Sequence, residues 1–203
     1  GVDLASFMVA SVADIGMASR ELRPEEKGLN EILVARDAIA IIVNPENPLT
    51  DISLEELRAI FGGRITNWQD LGFQPRRITV VTREEGSGTR GAFDKLVMGA
   101  DDVTASAIVQ DSNGAVRAIV ADDLYAVGYI SLGLVNEEVK ALRVGGVEAT
   151  AESVARGKYR LVRPFLFLTK GEPEGQAEEF IEFVLSPRAQ ELLASEGLIR
   201  VRG

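Results

Sequence analysis

The stretch that most restricts the fold is an apolar, β-branched run that turns directly into a glycine-rich loop and then a helix. Ile78-Thr79-Val80-Val81-Thr82 has strand composition, Arg83-Glu84-Glu85-Gly86-Ser87-Gly88-Thr89-Arg90 follows without a break, and Phe93, Leu96 and Val97 recur behind it at helical spacing. A strand that feeds a helix through so short a turn belongs to α/β architecture. Gly86 and Gly88 permit positive φ and close backbone approach to a ligand. Ser87 and Thr89 set hydroxyls beside the amides that open the helix.

The remaining chain repeats this alternation. Ile39 to Val43 reads as a buried strand ended by Asn44-Pro45. Ser53-Leu54-Glu55-Glu56 is a capping box, in which the Ser hydroxyl accepts from the third helical N–H and Glu56 reaches back to the cap amide. Leu54, Leu57, Ile60 and Phe61 then form one apolar stripe, stopped by Gly62-Gly63. A helix carrying Val116, Ile119 and Val120 is expected from Ser112-Asn113-Gly114. Strands are expected at Ala126 to Ser131, Val139 to Val144 and Phe165 to Thr169. Two C-terminal helices follow, one with Phe180, Ile181, Val184 and Leu185, the other opened by Ser186 with Pro187 at its first position. No repeat, low-complexity tract or compositionally marked linker interrupts the pattern.

Composition removes whole classes of chemistry. The chain has no His and no Cys, which excludes a Ser-His-Asp triad, imidazole or thiolate metal ligation, thiol nucleophiles and disulfides. Its 203 residues suffice for one large domain or two small lobes. The net charge of −9 argues against nucleic acid as a partner, although it leaves room for one small anion in a local pocket. Ala38 to Val43, the longest clean apolar run, is far below the ~18 residues a membrane-spanning helix needs. The first residues, from Gly1, lack the charged-then-apolar pattern of a secretory signal.

The Arg83–Arg90 turn is an anion cradle in physical terms. The amides opening a helix are unpaired donors, and Arg83 adds a charge-assisted contact with Glu85 nearby to orient it. The plain structural alternative is a flexible connection with a capping hydroxyl. The turn lacks the Gly-Lys-Ser/Thr ending of a P-loop, and Glu85 occupies the first glycine position of a nucleophile elbow. A second polar cluster, Asp14 to Arg20, offers the Ser19 hydroxyl and the Arg20 charge, or else a mere cap and a solvated side chain. Glu25-Glu26, Glu55-Glu56 and Glu137-Glu138 read as solvated faces without metal-ligand spacing. Trp68 reads as packing, and Tyr125, Tyr129 and Tyr159 show no chemical pattern.

With these residues in view, the chain resembles the substrate-binding proteins of phosphate ABC transporters, which have the type II periplasmic-binding-protein fold. The matching stretches are ADIGMASREL (13–22), ARDAIAIIVNPENPL (35–49), LRAIFGGRITNW (57–68), REEGSGTRGAF (83–93), SNGAVRAIV (112–120), AVGYISLG (126–133) and RPFLFLTKG (163–171), in family order. The resemblance implies two α/β lobes joined by two crossing segments, near Arg36 to Ala40 and Leu161 to Phe165, with the anion clamped in a cleft. Lobe 1 would comprise residues 1–38 and 165–203, and lobe 2 residues 39–164. It also implies Ser19 as the first-lobe hydroxyl donor, Arg83, Ser87, Gly88 and Thr89 as the second-lobe cradle, and Glu85 as the carboxylate that positions the arginine.

Two departures from the family pattern bear on the expectation. Family members begin with an additional strand, a Ser/Thr loop and a helix, on the order of 50 residues by domain size, ahead of the segment that opens this chain. Lobe 1 is therefore expected to lack that strand and helix, to expose a sheet edge open to self-association, and to bind phosphate more weakly or not at all. One family branch has Asp after the Ser, accepting the proton of monohydrogen phosphate. Arg20 cannot do so, although another branch also carries Ser-Arg. The resemblance implies a non-enzymatic, cofactor-free and metal-free subunit that captures inorganic phosphate for ABC permease subunits. Its location would be periplasmic or extracellular, with a lipid anchor in the full-length protein compatible with this reading. The alternatives are a ligand-free interaction or sensor module and a phosphatase-like enzyme on the same fold.

Overall fold

Residues 13–22 and 28–201 are described by a computed structural model. Among them the strands are β1 (Gly16–Ala18), β2 (Asn30–Val43), β3 (Asp51–Ile52), β4 (Thr79–Arg83), β5 (Ile108–Gln110), β6 (Ala126–Ser131), β7 (Lys140–Ala141), β8 (Arg143–Val144) and β9 (Val162–Thr169). The α-helices are α1 (Leu54–Phe61), α2 (Gly88–Phe93), α3 (Asn113–Asp122), α4 (Ala151–Ala155), α5 (Gln176–Leu185) and α6 (Pro187–Ser195). The chain forms two units, residues 1–37 with 163–203 and residues 38–162. It passes from one to the other within β2, between Asp37 and Ala38, and within β9, between Val162 and Arg163.

In the 38–162 unit, β5, β4 and β6 are parallel neighbours. β6 pairs antiparallel with Ile39–Val43 of β2, and β7 pairs with the end of β2. The β2 segment is wholly buried, with Ile39, Ile41 and Ile42 at 0% exposure. Each such side chain contributes about 1.5–3 kcal/mol relative to exposure. Side chains alternate across the sheet. Ala40, Ile42, Val81, Ala126 and Ile130 meet Val116 and Val120 of α3 in one core. Tyr129, which pairs with Ile41, joins Phe61 and Phe93 in an aromatic cluster.

Gly128 is where α3 comes closest to β6. A Cβ there would lie 2.8 Å from Val116 Cγ1 and 3.1 Å from Val120 Cγ2. Gly128→Ala is expected to destabilise the protein by about 1–3 kcal/mol through overpacking, read as a lowered midpoint in thermal or urea unfolding. An unchanged midpoint would show that α3 can retreat without loss.

Local signals act as the residues dictate. Ser53 Oγ accepts from Glu56 N at 3.1 Å and Glu56 Oε2 accepts from Ser53 N at 2.8 Å, closing the capping box of α1. The left-handed residue at its end is Gly63, φ 76°, while Gly62 remains right-handed. Ser112 caps α3, and Ser186 caps α6 with Pro187 at the first turn. Trp68 is 2% exposed and its Nε1 donates to Tyr125 O at 3.0 Å. The strand expected at Val139 to Val144 is instead two short pieces. β7 pairs with β2 and β8 with β3, and the fully buried Leu142 between them donates its N–H to Ile41 O. The chain changes partners there, which the alternation of residue types does not reveal.

In the unit formed by residues 1–37 and 163–203, β9 lies between β1 and β2, antiparallel to β1 from Gly16↔Leu168 to Ala18↔Leu166. Leu166 and Leu168 pack with Ala18, while Phe167 packs with Val34 and Ile181 of α5. Gln190 of α6 is buried, donating to Val34 O and Val184 O and accepting from Val201 N. At the crossings, Arg163 Nε and Nη2 both donate to Asp37 Oδ2, at 3.0 and 2.8 Å, and the pair is almost wholly buried. The Arg163 guanidinium also lies 5.2 Å from the Phe165 ring centroid.

Candidate functional site

Arg83 ends β4 with its backbone still in register opposite Gln110 of β5, and the next amide, Glu84 N, donates to Gln110 O at 3.1 Å. The chain then leaves the sheet. Ser87 N donates to Glu84 O at 3.3 Å, and Gly86 at the tip takes φ 92°, a value that strains any residue with a Cβ. Ser87 caps α2, its Oγ accepting from Arg90 N at 3.3 Å, which leaves the hydroxyl proton free to donate. Gly88 and Thr89 occupy the first two helical positions. Their N–H groups and the Thr89 hydroxyl have no partner among the described residues. α2 continues into a π-helical turn over Asp94–Met98 that carries Val97 and Met98 into the core.

The Arg83 side chain is 10% exposed and committed on one side only. Nε and Nη2 donate to the two carboxylate oxygens of Glu84, each at 3.0 Å, and Nη2 also donates to Asp111 O at 3.0 Å. Of five N–H donors three are used, and the two on Nη1 have no partner among the described residues. The carboxylate holding Arg83 is thus Glu84, which corrects the assignment to Glu85. Glu84 keeps its amide in the ladder and its side chain beside Arg83, whereas Glu85 has left the sheet and is exposed at the turn.

The hydrogen bond from Arg83 holds the Glu84 carboxyl below the usual carboxylate range. The pair's stabilisation is therefore present above the unfolded-state pKa and is lost as pH falls below it through the depressed folded value. Glu84 is 39% exposed, so solvent screening keeps that contribution small.

Beneath the turn lies a polar group that the residue pattern alone does not reveal. Arg90 Nε lies 2.8 Å from both carboxylate oxygens of Asp94, and Arg90 Nη1 donates to Thr82 Oγ1 at 3.2 Å and to Arg83 O at 3.0 Å. Tyr129 OH sits 2.8 Å from Thr82 Oγ1 and accepts from Arg83 N at 3.3 Å. Burial pushes the Tyr129 phenol above its ordinary pKa, so it stays protonated. The Arg90–Asp94 spacing of four was a visible helical ion-pair signal; nothing local points to Tyr129. Asn113, at the start of α3, has a buried Oδ1 without a partner among the described residues.

Arg83, Ser87, Gly88 and Thr89 are gathered in one turn. Ser19 and Arg20 belong to the other unit, just after β1, where Arg20 Nη1 donates to Glu21 O at 3.1 Å. Of the carboxylate runs, Glu56 serves the α1 cap and Glu138 pairs with Arg117 at 3.1 Å, while Glu25-Glu26 lies outside the described residues. Among the described residues no three metal-ligating side chains cluster, and no helix is long and apolar enough to cross a membrane.

Residues 8–188 match the family model described as a PBP superfamily domain. A phosphate-binding protein PstS from Bacillus subtilis is 38% identical over 180 residues, 87% of this chain. The chain spans 59% of that protein's length. Among solved structures, one from Clostridium perfringens, described as a phosphate ABC transporter substrate-binding protein with bound phosphate, superposes with a TM-score of 0.86 at 41% identity. That match covers 98% of this chain and 84% of the other. An ABC-type phosphate transport receptor from Vibrio cholerae gives 0.88 at 39% identity, covering 96% and 83%.

Proposed function

We infer the function from a family premise: this chain belongs to the PBP superfamily, is similar to PstS proteins, and has the type II periplasmic-binding-protein fold. It captures inorganic phosphate outside the cytoplasm and presents it to the permease of an ABC importer, without chemical turnover. The observation that carries this reading is the turn after β4. Arg83 Nη1, the Ser87 and Thr89 hydroxyls and the Gly88 and Thr89 amides are all available donors within one short stretch. Such an array suits a tetrahedral oxyanion, which can fill several acceptor positions at once, and oriented local dipoles make it independent of the chain's −9 charge. A role for the Ser19 hydroxyl rests on the family resemblance alone, and Ser19→Ala tests it in the same titration.

Isothermal calorimetry on the 203-residue chain tests the reading. Phosphate is expected to give saturable heat. Absence of saturable heat up to millimolar phosphate would overturn it.

A further inference from the structure

Two side chains outside the turn hold the backbone of Arg83 from opposite directions. Tyr129 OH receives the Arg83 N–H at 3.3 Å, and Arg90 Nη1 donates to the Arg83 carbonyl at 3.0 Å. The same peptide group whose carbonyl Arg90 holds is fixed from β5, because Glu84 N donates to Gln110 O. Both peptide planes flanking the Arg83 Cα are therefore pinned. The β4–β6 register runs from Thr79↔Ala126 to Val80↔Val127, so at Arg83 the Tyr129 side chain supplies the acceptor where β6 backbone pairing has ended.

The clamp is itself rigid. Tyr129 is fully buried, its ring stacked on Phe93 at 4.0 Å and 5°, and 5.7 Å from Phe61. Arg90 is locked by Asp94, and both clamp residues meet at Thr82 Oγ1. Hydrogen bonds that only satisfied buried groups need not converge on one residue. These converge on the residue whose side chain ends in spare donors.

We propose that Tyr129 and Arg90 are positioning residues for anion binding, a phenol–guanidinium clamp that fixes both peptide groups around Arg83 and so aims its guanidinium before the ligand arrives. Pre-set donors spare the ordering cost of binding. The proposal rests on the reading of the turn as the phosphate site.

Three variants test it: Tyr129→Phe, which keeps the ring stack; Arg90→Lys, which keeps a charge for Asp94 but loses the fork; and Trp68→Phe as a control at the other end of β6. Phosphate affinity is measured by calorimetry, stability by thermal melting, and the Arg83 backbone amide by its 1H–15N resonance without phosphate. Tyr129→Phe and Arg90→Lys should each weaken phosphate binding about tenfold, the ratio that follows loss of one hydrogen bond's net worth from the bound state. Trp68→Phe should lower the melting temperature with the affinity unchanged. Tyr129→Phe should displace the Arg83 amide resonance.

If the unaltered chain binds phosphate and both clamp variants bind within about twofold of it, the clamp is overturned and the phosphate site stands. If all three variants lose affinity in proportion to stability, general loosening explains the effect and the clamp is again overturned. If the unaltered chain does not bind phosphate, the functional reading falls. The clamp's role in anion binding falls with it, and the ligand-free resonance then reports only whether Tyr129 holds the Arg83 amide.

Discussion

Arg83→Ala is expected to weaken phosphate binding by at least about a hundredfold, equivalent to roughly 2.8 kcal/mol. Two effects act together. The substitution removes a charge-assisted donor pair on Nη1 from a site where Arg83 is buried and therefore little screened. It also strips Glu84 of the cation that compensates it, leaving a carboxylate beside the incoming anion. The second effect can be isolated with Glu84→Gln in the Arg83→Ala background, which should recover part of the loss. Calorimetry with phosphate reads both. An Arg83→Ala protein that binds within about threefold of the parent would remove Arg83 from the site.

Asp37→Ala is expected to destabilise the fold by about 3–5 kcal/mol, because it leaves the Arg163 guanidinium buried without its anion. For a chain of this size that corresponds to a fall of roughly 6–20 °C in melting temperature. The position makes the effect large. Asp37 and Arg163 sit side by side at the two points where the chain leaves one unit for the other, and burial prevents water from replacing the lost partner. Replacing both by apolar residues, Asp37→Leu with Arg163→Met, should recover most of the loss, since a buried ion pair contributes little beyond satisfying itself. Thermal melting of the single and double variants separates the cost of an orphaned charge from any net worth of the pair. Equal melting temperatures for Asp37→Ala and the parent would contradict the account.

The local features of the fold were legible in the residues that make them. Ser53 and Glu56, Ser112, and Ser186 with Pro187 act within three or four residues of themselves, so the cap appears in the sequence as it appears in space. The turn from Arg83 to Thr89 was legible for the same reason. What was not legible depends on register and on contacts between distant residues. Tyr129 reaches Arg83 only because β6 lies beside β4 in one register, and a slip of one residue would turn it to the opposite face. The Asp37–Arg163 pair spans 126 positions and is embedded in apolar strands. The exchange of Glu85 for Glu84 turned on a single ladder bond, Glu84 N to Gln110 O, which keeps one glutamate at the sheet while the next leaves it.

Stability and phosphate affinity are expected to rest on different buried polar groups in this protein. Asp37 and Arg163 are linked to the strands that carry the chain between units, whereas Tyr129, Arg90 and Glu84 act on the direction of one side chain. Substitutions in the first set should move melting temperature, and substitutions in the second should move phosphate affinity more than melting temperature. Gly128→Ala belongs with the first set, since it presses on α3 and touches no group of the turn.

The most direct measurement is a titration of inorganic phosphate, into the millimolar range, followed by 1H–15N spectra of the chain. The account predicts saturable movement of the Gly88 and Thr89 backbone amides, whose N–H groups have no partner among the described residues, together with the Arg83 guanidinium resonances. Saturable binding that leaves those amides in place and moves resonances elsewhere, or spectra that do not change with phosphate, would contradict it.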